Sequence, residues 1–442
     1  MADHAISDDR RVQRQLDRLA TLALGTDTLG LERISALLDR LGNPERSLPP
    51  VFHVAGTNGK GSTCAFLRAA IEAAGLKAHV YTSPHLVRFN ERIRLSGKLI
   101  EDEPLAALLE EVLDAAGGIS PSFFEATTAA AFLAFSRQPA DAVVLEVGLG
   151  GRLDATNVVP EPTVCGIAQL GLDHQQFLGT RIEDVAAEKA GIAKAGVPLV
   201  TLDYPPGLTN RVGEAAAAAG AQWLPKGAAW DAGVYRQRLH YRDRQGKIEL
   251  GLPRLPGTHQ AVNAALAVAM IRHQRDVEVG GPALKAAMGW ADWPARLQRL
   301  GAGPLRAILP EGSELWLDGG HNPGAARAIA DFFRARLSAE RPFHIVVGLL
   351  ANKDAPGILK PFSNRAATLH AVPVPSHPHH APADLAGIAR ACGLSALAAE
   401  NVPGALGWIA RHADRAKPPS VLILGSLYLA GGVLRANGQL PA

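Results

Sequence analysis

The chain has 442 residues, 47% of them hydrophobic and 20% charged, with a formal net charge of +3. That is too long for one ordinary core and suits two domains or three, and the composition excludes a disordered chain. So small a positive excess, without a long Lys/Arg run, gives no electrostatic case for nucleic acid or a membrane surface as the main partner.

The N-terminus, MADHAISDDRRVQRQ, is polar and carries no apolar signal-peptide core. Short β-branched runs at 51–54, 78–81, 142–147, 163–168 and 198–201 read as buried strands. Alanine-rich amphipathic runs lie between them, such as 63–74 closed by Gly75. This alternation predicts an open, mostly parallel α/β sheet. Residues 222–251 alternate polar and apolar around a Gln-Gly turn and read as an antiparallel excursion, followed at 256–271 by a turn and a buried helix. A boundary falls near residue 300, in WPARLQRLGAGP, dividing the chain into domains 1–299 and 300–442. Beyond it the α/β pattern restarts, with strands at 315–318, 343–348, 368–374 and 421–425. No stretch approaches an uninterrupted apolar transmembrane length. Cys64, Cys165 and Cys392 are far apart and odd in number, with no CxxC pair. Free thiols in a reducing compartment, and hence a cytoplasmic protein, are expected.

The first strand runs into Ala55-Gly56-Thr57-Asn58-Gly59-Lys60-Gly61-Ser62-Thr63, after which a helix begins. Backbone amides and the helix start can wrap phosphates there, lysine can reach the β/γ oxygens, and a hydroxyl can bind Mg²⁺. The standard Walker spacing is broken twice. Val54 stands where its first glycine belongs, and Gly61 separates the lysine from the hydroxyl. A glycine-rich turn with an incidental lysine is the bland alternative, which the flanking strand and helix disfavour.

Glu146 closes the strand 142–147 and precedes Gly148-Leu149-Gly150-Gly151-Arg152. An acid at the carboxyl end of a buried strand sits where open α/β sheets bind ligands, and it can hold Mg²⁺ against nucleotide phosphates. A dinucleotide fingerprint is rejected, because Leu153 stands where its last glycine belongs and the strand is not the first. Taken alone, Asp173-His174 reads better as a helix cap with a solvated imidazole, and Lys189 as an exposed helical lysine. The Phe123-Phe124 pair offers faces for a flat heterocycle and reads equally well as core. His377-Pro378-His379-His380 reads as a polar loop rather than a metal site.

Together these segments resemble the folylpolyglutamate synthase/dihydrofolate synthase family of the Mur-ligase superfamily. The resemblance runs over nearly the whole chain, through LGLERI (29–34), GTNGKGS (56–62), YTSPHLVRFNERIR (81–94), FFEATT (123–128) and EVGLGGRLDATN (146–157). It continues in LDHQQFLGTRIEDVAAEKAGIAK (172–194), PGTHQAVNAALA (256–267), WPARLQ (293–298), DGGHNP (318–323) and LGSLYL (424–429). It implies a P-loop-containing, Mur-ligase-like central domain with a mostly parallel sheet and a smaller C-terminal α/β domain.

The resemblance also implies roles. Lys60 and the amides of Gly56, Thr57, Asn58, Gly59, Gly61 and Ser62 would bind ATP phosphates, with Asn263, Arg296 and Asp318 as further nucleotide contacts. Ser83, Glu146 and His174, with the Ser62 hydroxyl, match the magnesium ligands of a two-ion site. Lys189 matches a lysine that family members carry as a carbamate. A monovalent-cation requirement stays open. His321 and Ser426 match positions near the incoming glutamate. The pterin-type acid would lie against Asp27, Leu29, Arg33, Phe89, Asn90, Arg92, Ser122, Phe123, Phe124, Glu125 and Leu153. Two departures stand beside these residues: Gly320 replaces the usual alanine of DGAHNP, and Ala295 the usual glycine of Pro-Gly-Arg.

The implied activity is ATP-dependent addition of L-glutamate to dihydropteroate and to reduced folates through an acyl phosphate, by a monomer whose domains close about residues 293–304. Folylpolyglutamate synthesis alone is the first alternative. A cell-wall Mur ligase is the second, although only about fifty residues precede the glycine loop, too few for its extra domain. A P-loop ATPase that drives a partner is the rival from another class.

Overall fold

The computed structural model describes residues 5–22, 29–336, 341–363 and 365–441. The chain forms two compact units, one of residues 1–254 and 259–292, the other of residues 255–258 and 293–441.

In the first unit the strands are β1 (Val51–Ala55), β2 (Ala78–Tyr81), β3 (Ile93–Leu95), β4 (Lys98–Leu99), β5 (Ala142–Glu146), β6 (Val164–Ile167), β7 (Pro198–Thr201) and β8 (Gln222–Pro225). They form one sheet in the order β4-β3-β2-β5-β1-β6-β7-β8. The order from β2 to β8 is parallel, and β3 and β4 extend it antiparallel. β1 and β5 are buried at every position, including His53 and Glu146, as strands covered on both faces. One core packs helices Arg10–Leu22, Glu32–Arg40, Asp102–Ala115 and Phe123–Arg137 around β2 and β5. Another packs Ile182–Ala190 and Pro206–Ala219 around β6 and β7. β1 lies between β5 and β6, so the glycine loop and Glu146 leave adjacent strand ends.

Two expectations are corrected. The helix expected from Thr63 begins at Lys60, because Gly59 takes a left-handed φ of +88° and turns the chain one residue before it. The antiparallel excursion does not start at Gln222. Residues 222–225 pair parallel with β7 as the eighth strand of the main sheet, and the separate sheet is β9 (Trp230–Tyr235), β10 (Arg238–Asp243) and β11 (Gly246–Gly251).

The second unit carries β12 (Gln298–Arg299), β13 (Glu314–Leu317), β14 (Phe343–Val347), β15 (Thr368–Ala371), β16 (Ala396–Ala398) and β17 (Ser420–Leu424). Their order is β12-β13-β17-β14-β15-β16, parallel except for β12. β15 stops at Ala371, short of the expected 374, where Pro373 withholds a ladder donor.

Both units hold neutral histidines. Burial pushes His53 down to about 3, and His85, His344 and His370 each to about 4. Their ring nitrogens meet the Thr156 hydroxyl (His53), the Arg92 guanidinium (His85) and the shared Thr368 hydroxyl (His344 and His370). An unfolded histidine takes a proton near pH 6.5, whereas these do so only near 4 or below. Unfolding therefore binds protons across that window, and stability falls as pH drops through it. Urea midpoints at pH 7.5 and 5.0 are expected to show the fall, and equal midpoints would contradict it.

Candidate active site

The glycine loop leaves β1 and ends at the start of helix Lys60–Ala73. The Thr57 and Asn58 amides both donate to the Gln169 carbonyl, at 2.8 and 3.1 Å, and the Thr57 hydroxyl donates to Gly171 O. These bonds tie the loop to the segment after β6. The Lys60, Gly61 and Ser62 amides, as a helix first turn, have no intrahelical acceptor and could meet an anion. The Lys60 ammonium folds back on the loop and donates to Gly56 O at 3.1 Å. Asn263, on the buried helix Thr258–Arg272, packs against the loop so closely that a Cβ on Gly59 would lie 2.3 Å from its Oδ1.

Glu146, at the end of β5, is 4% exposed, and its Oε2 accepts the Ser83 amide at 3.2 Å. A carboxylate buried this deeply needs compensating positive charge. Hydroxyls and a carboxylate such as those of Ser62, Ser83 and Glu146 are hard-oxygen donors of the kind Mg²⁺ takes, and an imidazole such as that of His174 could add one nitrogen. His174 sits at φ +51°, outside the usual range for a non-glycine residue, just after Asp173.

Lys189 is 5% exposed at the end of helix Ile182–Ala190, against the exposed placement its composition favours. Burial first, then the Lys60 ammonium, drive its pKa down to about 7, while Asp173, Asp154 and Glu188 pull it up. These couplings place the loop lysine, the segment before His174 and the Lys189 helix in one electrostatic site. Asp154 is a member the sequence reading missed. Its carboxylate accepts the Leu149 amide and both the amide and hydroxyl of Thr156. The clue available was its place two residues after Arg152 in the glycine motif.

The residues assigned to the acid substrate separate into two groups. Ser122 and Glu125 form a capping box on helix Phe123–Arg137, and Glu125 also takes the Arg33 Nε at 3.0 Å. Leu29, Ser122, Phe124 and Leu153 keep partial exposure, and Phe124 tilts over the Tyr81 ring with centroids 5.9 Å apart. Phe89, Asn90, Arg92 and Phe123 are buried. Asn90 donates to Ile100 O and Asp102, and the Arg92 guanidinium lies over both phenyl rings. Of the phenylalanine pair, Phe123 is core and Phe124 keeps an accessible face. Asp27 lies outside the described residues.

In the second unit, Asp318 follows β13, and its two oxygens accept the Leu297 and Gly320 amides at 2.8 and 2.7 Å. Ala295 and Leu297 both hold positive φ, +55° and +45°, so Arg296 projects from a turn tied down by Asp318 and by Gly319 N–H to Ala295 O. A glycine would adopt the Ala295 conformation without steric cost. A Cβ on Gly320 would lie 2.7 Å from Ile329 Cδ1 and 2.9 Å from Asp318 Oδ1. His321 donates from Nδ1 to Gly319 O, and Ser426 caps the helix Leu427–Ala436. His377, His379 and His380 each pair through a ring nitrogen with a backbone carbonyl, as a polar loop would.

Fold and site define an ATP-dependent α/β ligase of Mur-ligase-like architecture. The dihydrofolate synthetase C-terminal domain model matches residues 305–436. A Bacillus subtilis dihydrofolate synthase/folylpolyglutamate synthase is 35% identical over 359 residues, covering 77% of this chain and 80% of that protein. The structure of Escherichia coli FolC in complex with DHPP and ADP superposes with a TM-score of 0.85 at 32% identity, covering 96% and 97% of the two chains. A bifunctional folylpolyglutamate synthase/dihydrofolate synthase with Mn, AMPPNP and L-glutamate bound superposes with a TM-score of 0.82 at 32% identity, covering 96% and 97%. The chain belongs to the dihydrofolate synthase/folylpolyglutamate synthase family. No helix among the described residues is long and apolar enough to cross a membrane.

Proposed function

We propose that this enzyme adds L-glutamate to dihydropteroate and to reduced folates. The observation that carries the reading is the gathering of Lys60, Glu146 and a buried Lys189 around one glycine loop, with Phe124 and the Glu125–Arg33 pair in the same unit. A free carboxylate is a poor electrophile. Transfer of the ATP γ-phosphoryl makes it an acyl phosphate, which the glutamate α-amine then attacks, forming the amide and releasing phosphate. Lys60 and the helix-start amides hold the phosphoryl oxygens in line, and Arg296 adds a planar charge suited to phosphate. Asn263 and Asp318 serve the nucleotide, while His321 and Ser426 serve glutamate. Ser62, Ser83, Glu146 and His174 would hold Mg²⁺, which would supply charge neutralisation. Lys189 as a carbamate would add oxygen donors to that site; a monovalent cation would be a further, separate requirement. The protein acts as a cytoplasmic monomer.

The test is ADP release measured with dihydropteroate and tetrahydrofolate side by side, each with and without glutamate. Glutamate-dependent turnover with both acids is expected. Turnover of tetrahydrofolate alone would reduce the enzyme to a folylpolyglutamate synthase, and turnover of neither would overturn the proposal. Glutamate-independent hydrolysis would point to the partner-driving ATPase.

A further inference from the structure

The sequence GLGGR at 148–152 matches no dinucleotide fingerprint, yet the structure gives these glycines a purpose. A Cβ on Gly148 would lie 2.4 Å from Phe124 Cζ, and one on Gly151 would lie 2.7 Å from Glu188 O and 3.0 Å from Lys189 Cα. The loop is therefore wedged between the aromatic ring on one side and the backbone of the Lys189 helix on the other. Arg152 fastens the second side. Its backbone amide donates to Glu188 O at 2.9 Å, and its Nε and one terminal nitrogen donate to Glu188 Oε1 at 3.0 and 2.6 Å. Asn157 bridges the two segments, donating to Arg152 O at 3.0 Å and to Gly191 O, at the end of the Lys189 helix, at 3.1 Å.

An exposed ion pair alone would contribute little. Here it closes a backbone-to-backbone contact immediately beside a buried lysine. We propose that Arg152 and Glu188 are positioning residues: they clamp the glycine loop to the Lys189 helix and so register Lys189 against the Phe124 side of the site. Misplacing a reacting group by about 1 Å can cost on the order of 100-fold in rate, so a clamp one residue from Lys189 is well placed to act on turnover rather than on binding. The proposal rests on the ligase reading for its kinetic part only.

The test combines kinetics with labelling. Arg152→Ala and Glu188→Ala are each expected to lower kcat about tenfold, leave KM for ATP within about twofold, and lose no more when combined, because both remove one clamp. Arg152→Lys, which keeps one donor, is expected to recover part of the loss. In the protein without substrates, trace acetylation by acetic anhydride, read by mass spectrometry against the exposed Lys247, is expected to rise several-fold at Lys189 in Arg152→Ala. If alanine prevents folding, Arg152→Lys and Glu188→Gln carry the same comparison. Losses that multiply in the double variant, or unchanged Lys189 acetylation, would overturn the clamp. An inactive wild-type enzyme would sink the ligase reading, while the acetylation ratio still decides the clamp.

Discussion

Lys189→Ala is expected to lower kcat by at least about 100-fold, the scale of removing a preorganised charged group from a reaction centre. Lys189 is buried, and burial together with the Lys60 ammonium brings its pKa to about 7. About half the population is then a neutral amine near pH 7. In the proposed mechanism only that form would take up carbon dioxide and become an anionic oxygen donor close to Lys60 and Asp173. Added short carboxylates are expected to restore part of the activity of Lys189→Ala, because they would supply from solution the oxygens of the proposed carbamate. Lys189→Arg is expected to stay inactive, since guanidinium remains cationic. Full activity in the alanine variant would remove Lys189 from the mechanism. The same group leaves a mark on stability. Its folded pKa is depressed, from 10.5 to about 7, so between those values the unfolded chain binds a proton that the native chain does not. Its contribution therefore makes stability rise with pH from about 7 to 10.5. Comparing urea midpoints of the wild type and Lys189→Met at pH 7 and 9, with carbon dioxide excluded, isolates that contribution.

Short, largely apolar runs made β1, β2, β5, β6 and β7 legible to within a residue or so at each end, because a strand buried on both faces is mostly apolar. Less legible were features fixed by contact. Gln222–Pro225 is polar at its start and sits at the edge of the sheet, so its pattern resembled the antiparallel strands beyond it. The hairpin between β9 and β10 turns through Arg236 and Gln237, both at positive φ, with no glycine to announce it. The site divided along the same line. Residues set in strong local patterns, such as Lys60 after its strand and Glu146 at the end of another, could be picked out from the chain. Lys189 read as a surface lysine, since nothing in its helix reveals that the loop from Gly148 to Arg152 covers it. Asp154 went unnoticed because a carboxylate that binds amides looks, in sequence, like any turn aspartate.

The second large effect is expected at Gly59→Ala, for two separable reasons. The φ of +88° places the residue in the left-handed region, where an alanine is less stable by roughly 1–2 kcal/mol. In addition, the new methyl would stand 2.3 Å from Asn263 Oδ1 and 3.1 Å from its Cγ. Asn263 is 4% exposed and its Nδ2 is already bonded to Gln260 Oε1 at 3.1 Å, so it has little room to withdraw. The loop must therefore shift, carrying with it the Lys60, Gly61 and Ser62 amides. The expected result is a folded protein with a melting temperature lower by a few degrees and an ATP affinity weaker by at least about tenfold. Gly42→Ala is the matched control: its φ is +83°, but nothing lies within 4 Å of the added carbon. It should reproduce the conformational part of the destabilisation and leave ATP affinity unchanged. In the double variant Gly59→Ala/Asn263→Ala the collision is gone and the φ strain remains. Its melting temperature is expected to recover toward that of Gly42→Ala. Calorimetric titration with ADP and thermal melts on the four proteins decide the matter. Equal ADP affinity in Gly59→Ala and Gly42→Ala would show that the loop tolerates the methyl and that Asn263 does not fix its position.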